Sequence, residues 1–222
     1  MLILMKKTTF VCLLAALFIA PAAQAASNLL VNGRFEHPDN PLFAWQYKYE
    51  RAGDSWYAAN HERVKVEPRI EGRSGVLALW GDRNILFDTG QGTKVDSFPV
   101  EVKPGGRWRL TATARSTGPG ARILVEGYQW RPGVKPHPNP DRSKLRTCYK
   151  SGLLFFGSQK GGSISHPSKN WQTANVVFPD AKPSDFAKSQ LAKMEFLVVH
   201  IVAIDGTEGS LYVDDVKLEA VK

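Results

Sequence analysis

The sequence predicts an all-β fold in which nine or ten short strands form an antiparallel β-sandwich or a barrel. Short apolar or alternating segments are separated by clusters of Gly, Pro, Asp and Asn, and the 222 residues include 19 Gly and 14 Pro. Hydrophobic residues make up 43% of the chain, which is too high a fraction for an intrinsically disordered protein. Two cysteines are too few for a disulfide-stabilised scaffold, so a packed core must hold the domain together.

The first 25 residues are predicted to be a secretory signal peptide. Two lysines precede an apolar segment from Phe10 to Ala20, and Ala23–Ala25 supplies the small residues of a cleavage site. An anchor helix is the alternative, but about eleven apolar residues are too few to span a bilayer. We therefore expect cleavage after Ala25, a secreted or periplasmic protein, and a single domain over residues 26–222.

Nine segments carry the apolar or alternating pattern of strands. In chain order they are Val64–Val66, Val76–Trp80, Phe98–Val102, Trp108–Ala114, Ile123–Val125, Leu153–Phe156, Ala174–Phe178, Glu195–Ile204 and Leu211–Leu218. In the fourth segment the apolar side chains fall on even positions and the polar ones on odd positions, which predicts one face toward the core. Ser184 after Pro183 predicts the start of one short helix over Ser184–Lys193.

The last predicted strand contains a change of phase. Leu211 and Val213 are odd-numbered, whereas Val216 and Leu218 are even-numbered, so the core-facing alternation shifts by one residue at positions 214 and 215. A β-bulge is the usual way in which a strand accommodates such a shift. The bulge would direct two neighbouring aspartate side chains toward one place.

A Pro-rich basic loop is predicted at about residues 129–150. Prolines fix φ and disfavour strand pairing, so this segment should form a semi-rigid extended arm. Residues 101–150 contain eleven Lys and Arg but three Asp and Glu, and the net charge of the whole chain is +8. The positive charge is therefore concentrated around the loop, where either a solvated surface or an anionic ligand explains it.

Five blocks carry a family resemblance in their sequence and in their order along the chain. They are Asn28–Glu36 followed by Trp45, Ser74–Leu79, Pro99–Arg115, Trp171–Phe178 and Leu211–Leu218. Together they resemble the carbohydrate-binding modules of families four, nine and twenty-two, the CenC-like group of galactose-binding-like domains. The resemblance implies a jelly roll of two antiparallel sheets, with a sugar bound on a concave sheet face or at the loop edge.

Modules of this group often hold a structural calcium ion, so the resemblance implies a calcium site here. It places the calcium ligands at Glu36 and at Asp214 or Asp215, which supply the hard oxygen donors that calcium prefers. Surface carboxylates that cap turns are the alternative for these residues. No EF-hand loop and no His or Cys spacing typical of zinc is present in the sequence.

Sugar recognition needs aromatic rings that stack on a pyranose and polar groups that hydrogen-bond its hydroxyls. The resemblance implies that Leu77 and Leu79 are buried, which leaves Trp80 on the opposite face of its strand. If Ile123 and Val125 face the core, alternation places Glu126, Tyr128 and Trp130 together on the outer face of another strand. Core packing is the alternative for each aromatic residue, and a satisfied core histidine is the alternative for His200. The predicted carbohydrate-binding residues are Trp80, Arg115, Glu126, Tyr128, Trp130 and His200.

These observations predict a secreted, non-catalytic, monomeric protein that binds a polysaccharide or another glycan. The basic loop favours an acidic polysaccharide, because arginine pairs well with carboxylate and sulfate groups. No catalytic motif such as Gly-x-Ser-x-Gly or His-Glu-x-x-His occurs, so no catalytic residue is assigned. We expect no nucleic acid partner and no transmembrane segment. The alternatives are an envelope structural or interaction protein without a sugar site, and a polysaccharide lyase or glycoside hydrolase on a jelly-roll scaffold.

Overall fold

Two antiparallel sheets pack face to face in a jelly-roll β-sandwich, which confirms the predicted fold class. The computed structural model describes residues 27–46, 62–84, 92–138, 140–153, 167–204 and 207–221. The predicted signal peptide, residues 1–25, lies outside the described residues, as do residues 154–156 of one predicted strand. No helix in the described part of the chain is long and apolar enough to cross a membrane.

Eleven strands are described. In chain order they are β1 (Trp45–Gln46), β2 (Val64–Ile70), β3 (Arg73–Gly81), β4 (Thr93–Ser97), β5 (Val100–Glu101), β6 (Arg107–Ser116), β7 (Gly120–Trp130), β8 (Leu145–Leu153), β9 (Gln172–Phe178), β10 (Phe196–Ile204) and β11 (Gly209–Val221). The front sheet has the order β1-β4-β10-β7-β8, with β5 also paired to β10, and the back sheet has the order β2-β3-β11-β6-β9. Helix α1 (Asp185–Leu191) begins after Ser184, whose hydroxyl accepts a hydrogen bond from the Ala187 amide, as the N-cap prediction required.

The hydrophobic core lies between the two sheets and follows from the alternation of side chains along the strands. The central strand β10 sends Leu197, Val199 and Ile201 into this core, where all three are fully buried. Burying one such side chain stabilises the fold by roughly 1.5–3 kcal/mol. Trp45 and Trp108 belong to the same core and are 4% and 3% exposed.

The predicted β-bulge in the last strand is present. Asp214 of β11 lies opposite Thr113, but Lys217 lies opposite Thr111, so β11 contains one extra residue at this point. Asp215 has a φ of 50°, which turns the chain locally and keeps Val216 facing the core. The alternation of apolar residues was therefore sufficient to locate a backbone irregularity.

The loop between β7 and β8 is shorter than the predicted 129–150. It covers residues 131–144, because Trp130 still belongs to β7 and β8 begins at Leu145. Leu145 is 1% exposed and packs in a small cluster with Phe196, so apolar burial extends the strand pairing past the predicted boundary. The loop ends in a single 3-10 turn, Arg142–Lys144, capped by the side chain of Asp141.

Candidate functional site

Polar side chains lie on the outer face of the front sheet, the face turned away from the back sheet. Along β7 the core-facing residues alternate with Glu126, Tyr128 and Trp130, which lie on the outer face as predicted. His200 of β10 lies on the same face, directly opposite Asp96 of β4. Four of the six predicted sugar-binding residues therefore share one surface.

The other two predicted residues, Trp80 and Arg115, lie on the outer face of the back sheet. Trp80 is 40% exposed at the end of β3. Arg115 of β6 pairs with Glu71, and its guanidinium lies 4.9 Å from the ring centre of Tyr212. The six predicted residues therefore do not all share one surface. Alternation fixes the face of a strand on which a side chain lies but not the sheet to which the strand belongs.

Six charged or polar residues form a connected group that we call the front cluster. Its members are Asp96, Glu126, Tyr128, Arg142, Lys150 and His200. Asp96 is 7% exposed, Glu126 is 9% exposed and His200 is 1% exposed, so the cluster is largely buried although it lies on an outer sheet face. Buried charges are stable only when they are paired, and each of these carboxylates has several partners.

Asp96 pairs with three basic side chains. The Nδ1 atom of His200 lies 2.6 Å from Oδ1, the Nζ atom of Lys94 lies 3.2 Å from the same oxygen, and Arg142 binds Oδ2. Burial alone would raise the pKa of Asp96, but these three donors hold it well below its ordinary value. Asp96 is therefore ionised at neutral pH.

Glu126 accepts its hydrogen bonds from three other donors. The Tyr128 hydroxyl binds Oε2, Lys150 Nζ lies 2.7 Å from Oε1, and Thr147 Oγ1 lies 3.4 Å from Oε2. Burial raises the pKa of Glu126, but the electrostatic interaction with the His200 ring and the hydrogen bonds from Lys150 and Tyr128 outweigh it and lower the pKa. Burial and the neighbouring carboxylate raise the pKa of Tyr128, which keeps its hydroxyl protonated as a donor.

His200 is held neutral between the two carboxylates. Burial lowers the pKa of His200 below its ordinary value of 6.5, and Asp96 offsets this effect only in part. Since Nδ1 donates to Asp96, the lone pair of the neutral ring is on Nε2. Nε2 has no hydrogen-bond partner within the described part of the chain, and Oε2 of Glu126, another acceptor, lies 3.5 Å away. Two acceptors therefore face each other at this point.

Trp130 forms the aromatic end of this surface. Its ring is half-buried, meets Phe196 edge-on with a centroid distance of 5.4 Å, and lies 5.1 Å from the ring of His137 in the loop. Tyr128, which was predicted to stack on a sugar, is 3% exposed. The guanidinium of Arg142 covers its ring, 5.5 Å from the ring centre. The prediction that Tyr128 stacks on a sugar is therefore wrong.

Sequence reasoning missed Asp96, Arg142 and Lys150. Arg142 comes from the loop between β7 and β8, and its guanidinium contacts Asp96 and the Tyr128 hydroxyl, at 3.2 Å in the second case. The basic composition of the loop was visible in the sequence, but its return onto the sheet was not. Lys150 pairs directly with Glu126 across β7 and β8, a register that sequence alternation does not give.

The predicted calcium ligands lie near one another at the bulge of β11, but they do not fit a calcium ion as they stand. Arg73 Nη1 lies 2.6 Å from Oδ2 of Asp214 and 3.0 Å from Oδ2 of Asp215. Arg34 Nη2 lies 3.3 Å from Oε1 of Glu36. Among the described residues, no group of three or more His, Cys, Asp or Glu side chains could hold a metal ion.

Comparison with known proteins gives likenesses of structure. No family model matches the sequence, and no curated protein matches it either. The chain is similar in structure to a family 16 carbohydrate-binding module, with 19% identity, a TM-score of 0.47, and coverage of 88% of this chain and 100% of the module. It is similar to the CBM22-1 xylan-binding domain from Paenibacillus barcinonensis Xyn10C, with 12% identity, a TM-score of 0.48, and coverage of 90% and 99%.

Another similar structure is a cyclase from Fischerella sp. TAU, with 13% identity, a TM-score of 0.48, and coverage of 86% of this chain and 96% of the cyclase. Carbohydrate-binding modules are thus among the structures that the chain is similar to, as the five sequence blocks predicted. All three likenesses concern the fold alone.

Proposed function

We propose that this chain is a non-catalytic glycan-binding protein, and that its glycan lies on the front cluster and Trp130. The observation that carries the proposal is the Nε2 atom of His200, a buried acceptor without a donor that faces a carboxylate oxygen of Glu126. A buried polar atom of this kind is costly unless a ligand or a water molecule pairs with it. A sugar hydroxyl supplies the missing donor and can accept a hydrogen bond in return.

The basic members of the cluster favour an acidic glycan. The side chain of Lys150 is 70% exposed and that of Arg142 is 25% exposed, so both can reach a ligand from the surface. A guanidinium binds a carboxylate or sulfate group through two parallel hydrogen bonds. A uronic acid or a sulfated sugar therefore pairs with these cations, while its hydroxyls bind His200 and Glu126.

Trp130 supports the apolar face of the same sugar chain. The ring lies at the end of β7, two residues beyond Tyr128, and it is partly open to solvent. Stacking a pyranose ring on it adds binding energy without requiring the charged groups to move. The predicted signal peptide supports action outside the cytoplasm, where polysaccharides of this kind occur.

Affinity electrophoresis of the mature protein tests this proposal. Gels contain an acidic polysaccharide, such as polygalacturonate, alginate or chondroitin sulfate, or a neutral glucan or galactan. We expect retardation by at least one acidic polysaccharide, weakened by added salt, and an affinity about tenfold lower in Trp130→Ala. Trp80→Ala is the matched control, because it removes an exposed tryptophan from the opposite face of the sandwich.

Three outcomes contradict the proposal. If only neutral polysaccharides retard the protein, the ligand is not an acidic glycan. If Trp80→Ala abolishes binding and Trp130→Ala does not, the binding site lies on the back sheet. If no polysaccharide retards the protein, a structural or interaction role is favoured, in which Arg142 closes the outer face by binding Asp96.

The pairing of Asp96 with His200 favours one second candidate, a polysaccharide lyase. His200 Nε2 would take the proton from C5 of a uronic acid, and the C4–O4 bond would break as a C4–C5 double bond forms. The Tyr128 hydroxyl would give its proton to the leaving O4. Ultraviolet absorbance of the unsaturated product tests this candidate on the same acidic polysaccharides, and a His200→Gln variant that keeps full activity excludes it.

A further inference from the structure

A second charged group lies at the bulge of β11, on the other side of the molecule from the front cluster. It contains the two aspartates of the bulge, one glutamate from the first loop and two arginines, Arg34 and Arg73. The carbohydrate-binding modules that the sequence resembles often hold a structural calcium ion at the corresponding carboxylates.

Arg73 occupies the centre of this group. It begins β3, and its Nη1 atom bridges Asp214 Oδ2 at 2.6 Å and Asp215 Oδ2 at 3.0 Å. The Asp214 side chain is 4% exposed, so its charge needs a partner inside the protein. The guanidinium is also 4.9 Å from the ring centre of Trp171, which fixes its position through a cation-π contact.

Arg34 completes the charge balance from the first loop. Its Nη2 atom lies 3.3 Å from Glu36 Oε1, and its Nε atom lies 3.5 Å from Asp215 Oδ1. The Ser74 hydroxyl binds the same oxygen of Glu36. Two guanidinium charges therefore face three carboxylates, and the oxygens that a calcium ion would bind already accept N–H and O–H donors.

The backbone around this group is packed too closely for a loose surface arrangement. The Val216 amide donates to the carbonyl oxygen of Gly33 at 2.8 Å, which joins the first loop directly to the bulge. Gly75 has a φ of 64°, and a Cβ atom there would lie 2.7 Å from Cγ of Glu36. The loop, β3 and β11 therefore meet at one point, where a cation would have its structural effect.

We infer that the guanidinium of Arg73 stands in the place of the calcium ion and makes the fold independent of divalent cations. Calcium requires six to eight oxygen ligands at about 2.3–2.6 Å, with no competing positive charge beside it. Here a fixed positive charge binds two of the carboxylates, and it comes from the protein itself. Removal of this charge frees the carboxylates of Asp214 and Asp215, which a calcium ion can bind while water molecules complete its shell of oxygen ligands.

Thermal unfolding of the mature protein, measured with either millimolar calcium chloride or EDTA, tests this inference. The wild-type melting temperature should be the same in both to within about 1 °C, since no divalent ion contributes. Arg73→Gln should lower the melting temperature in EDTA by roughly 5–10 °C, because it leaves Asp214 buried without its partner. Calcium should then recover at least half of that loss.

Arg69→Gln is the matched control, because Arg69 is exposed on the neighbouring strand β2 and makes none of these contacts. Calcium stabilisation of the wild type overturns the inference, as does an Arg73→Gln variant that is no less stable than the control or does not respond to calcium. If Arg73→Gln does not fold, calorimetric titration of the wild type with calcium decides, since saturable binding overturns the inference. Neither measurement uses a glycan, so both are independent of the proposed function.

Discussion

The buried histidine of the front cluster predicts a specific dependence of stability on pH. Folding holds His200 neutral, because burial lowers its pKa below the ordinary 6.5 and the ring is 1% exposed. The unfolded chain binds a proton at this position that the folded chain does not, so stability falls as the pH is lowered through 6.5. Asp96 and Glu126 contribute in the same direction only at lower pH, since their ordinary pKa values are 3.8 and 4.5.

The size of this effect follows from the two titrations. If the folded pKa lies well below about 5.5, lowering the pH from about 7.5 to about 5.5 removes about 1.4 kcal/mol of stability through His200. This is about a tenfold change in the ratio of folded to unfolded protein, or roughly 3–5 °C in melting temperature. Urea unfolding at the two pH values measures it, and the His200→Gln variant should lose that much less stability than the wild type over the same interval.

His137→Gln is the control for this experiment, because His137 is exposed in the loop between β7 and β8. The control should follow the wild type at both pH values. If the wild type and His200→Gln lose equal amounts of stability between the two pH values, His200 is not held neutral by folding. A wild type that gains stability relative to His200→Gln on acidification would show that His200 is protonated in the fold, and Nε2 would then be a donor and not an acceptor.

Three further predictions concern the front cluster and the first loop. Asp96→Ala removes the shared acceptor of three basic side chains and should cost about 3–5 kcal/mol in urea unfolding, whereas a cost below about 1 kcal/mol would contradict the pairing. Gly75→Ala should destabilise the protein by at least about 1 kcal/mol more than Gly72→Ala, because both positions have positive φ but only Gly75 has atoms within 3 Å of the added Cβ. Lys150→Ala should change stability by less than about 0.5 kcal/mol and weaken retardation by an acidic polysaccharide, and unchanged retardation would exclude this contact.

The sequence was informative where a pattern repeats along one strand. Alternation placed Glu126, Tyr128 and Trp130 on one outer face, and a phase shift located the bulge at Asp214. Both results depend on neighbours along the chain, which fix the direction of each side chain once the strand is assumed.

The candidate site was only partly predictable because it depends on pairing between distant strands. The short strand β4 was not predicted, and so its Asp96, which orients His200, was missed. The position of Trp80 and Arg115 on the back sheet depends on the same pairing between distant strands. The contact of Arg142 with the cluster depends on how the loop returns across the sheet, which no periodicity records.

Nitrogen NMR of the imidazole rings can show whether a glycan hydroxyl pairs with Nε2 of His200, as we propose. Without ligand, the mature protein should show Nδ1 of His200 protonated and Nε2 unprotonated at neutral pH. Addition of an acidic oligosaccharide, cut from a polysaccharide that retards the protein, should move the Nε2 resonance toward the value of a hydrogen-bonded acceptor. The proposed pairing is excluded if the Nε2 resonance stays unchanged when the ligand is saturating. It is also excluded if Nε2 is already protonated without ligand.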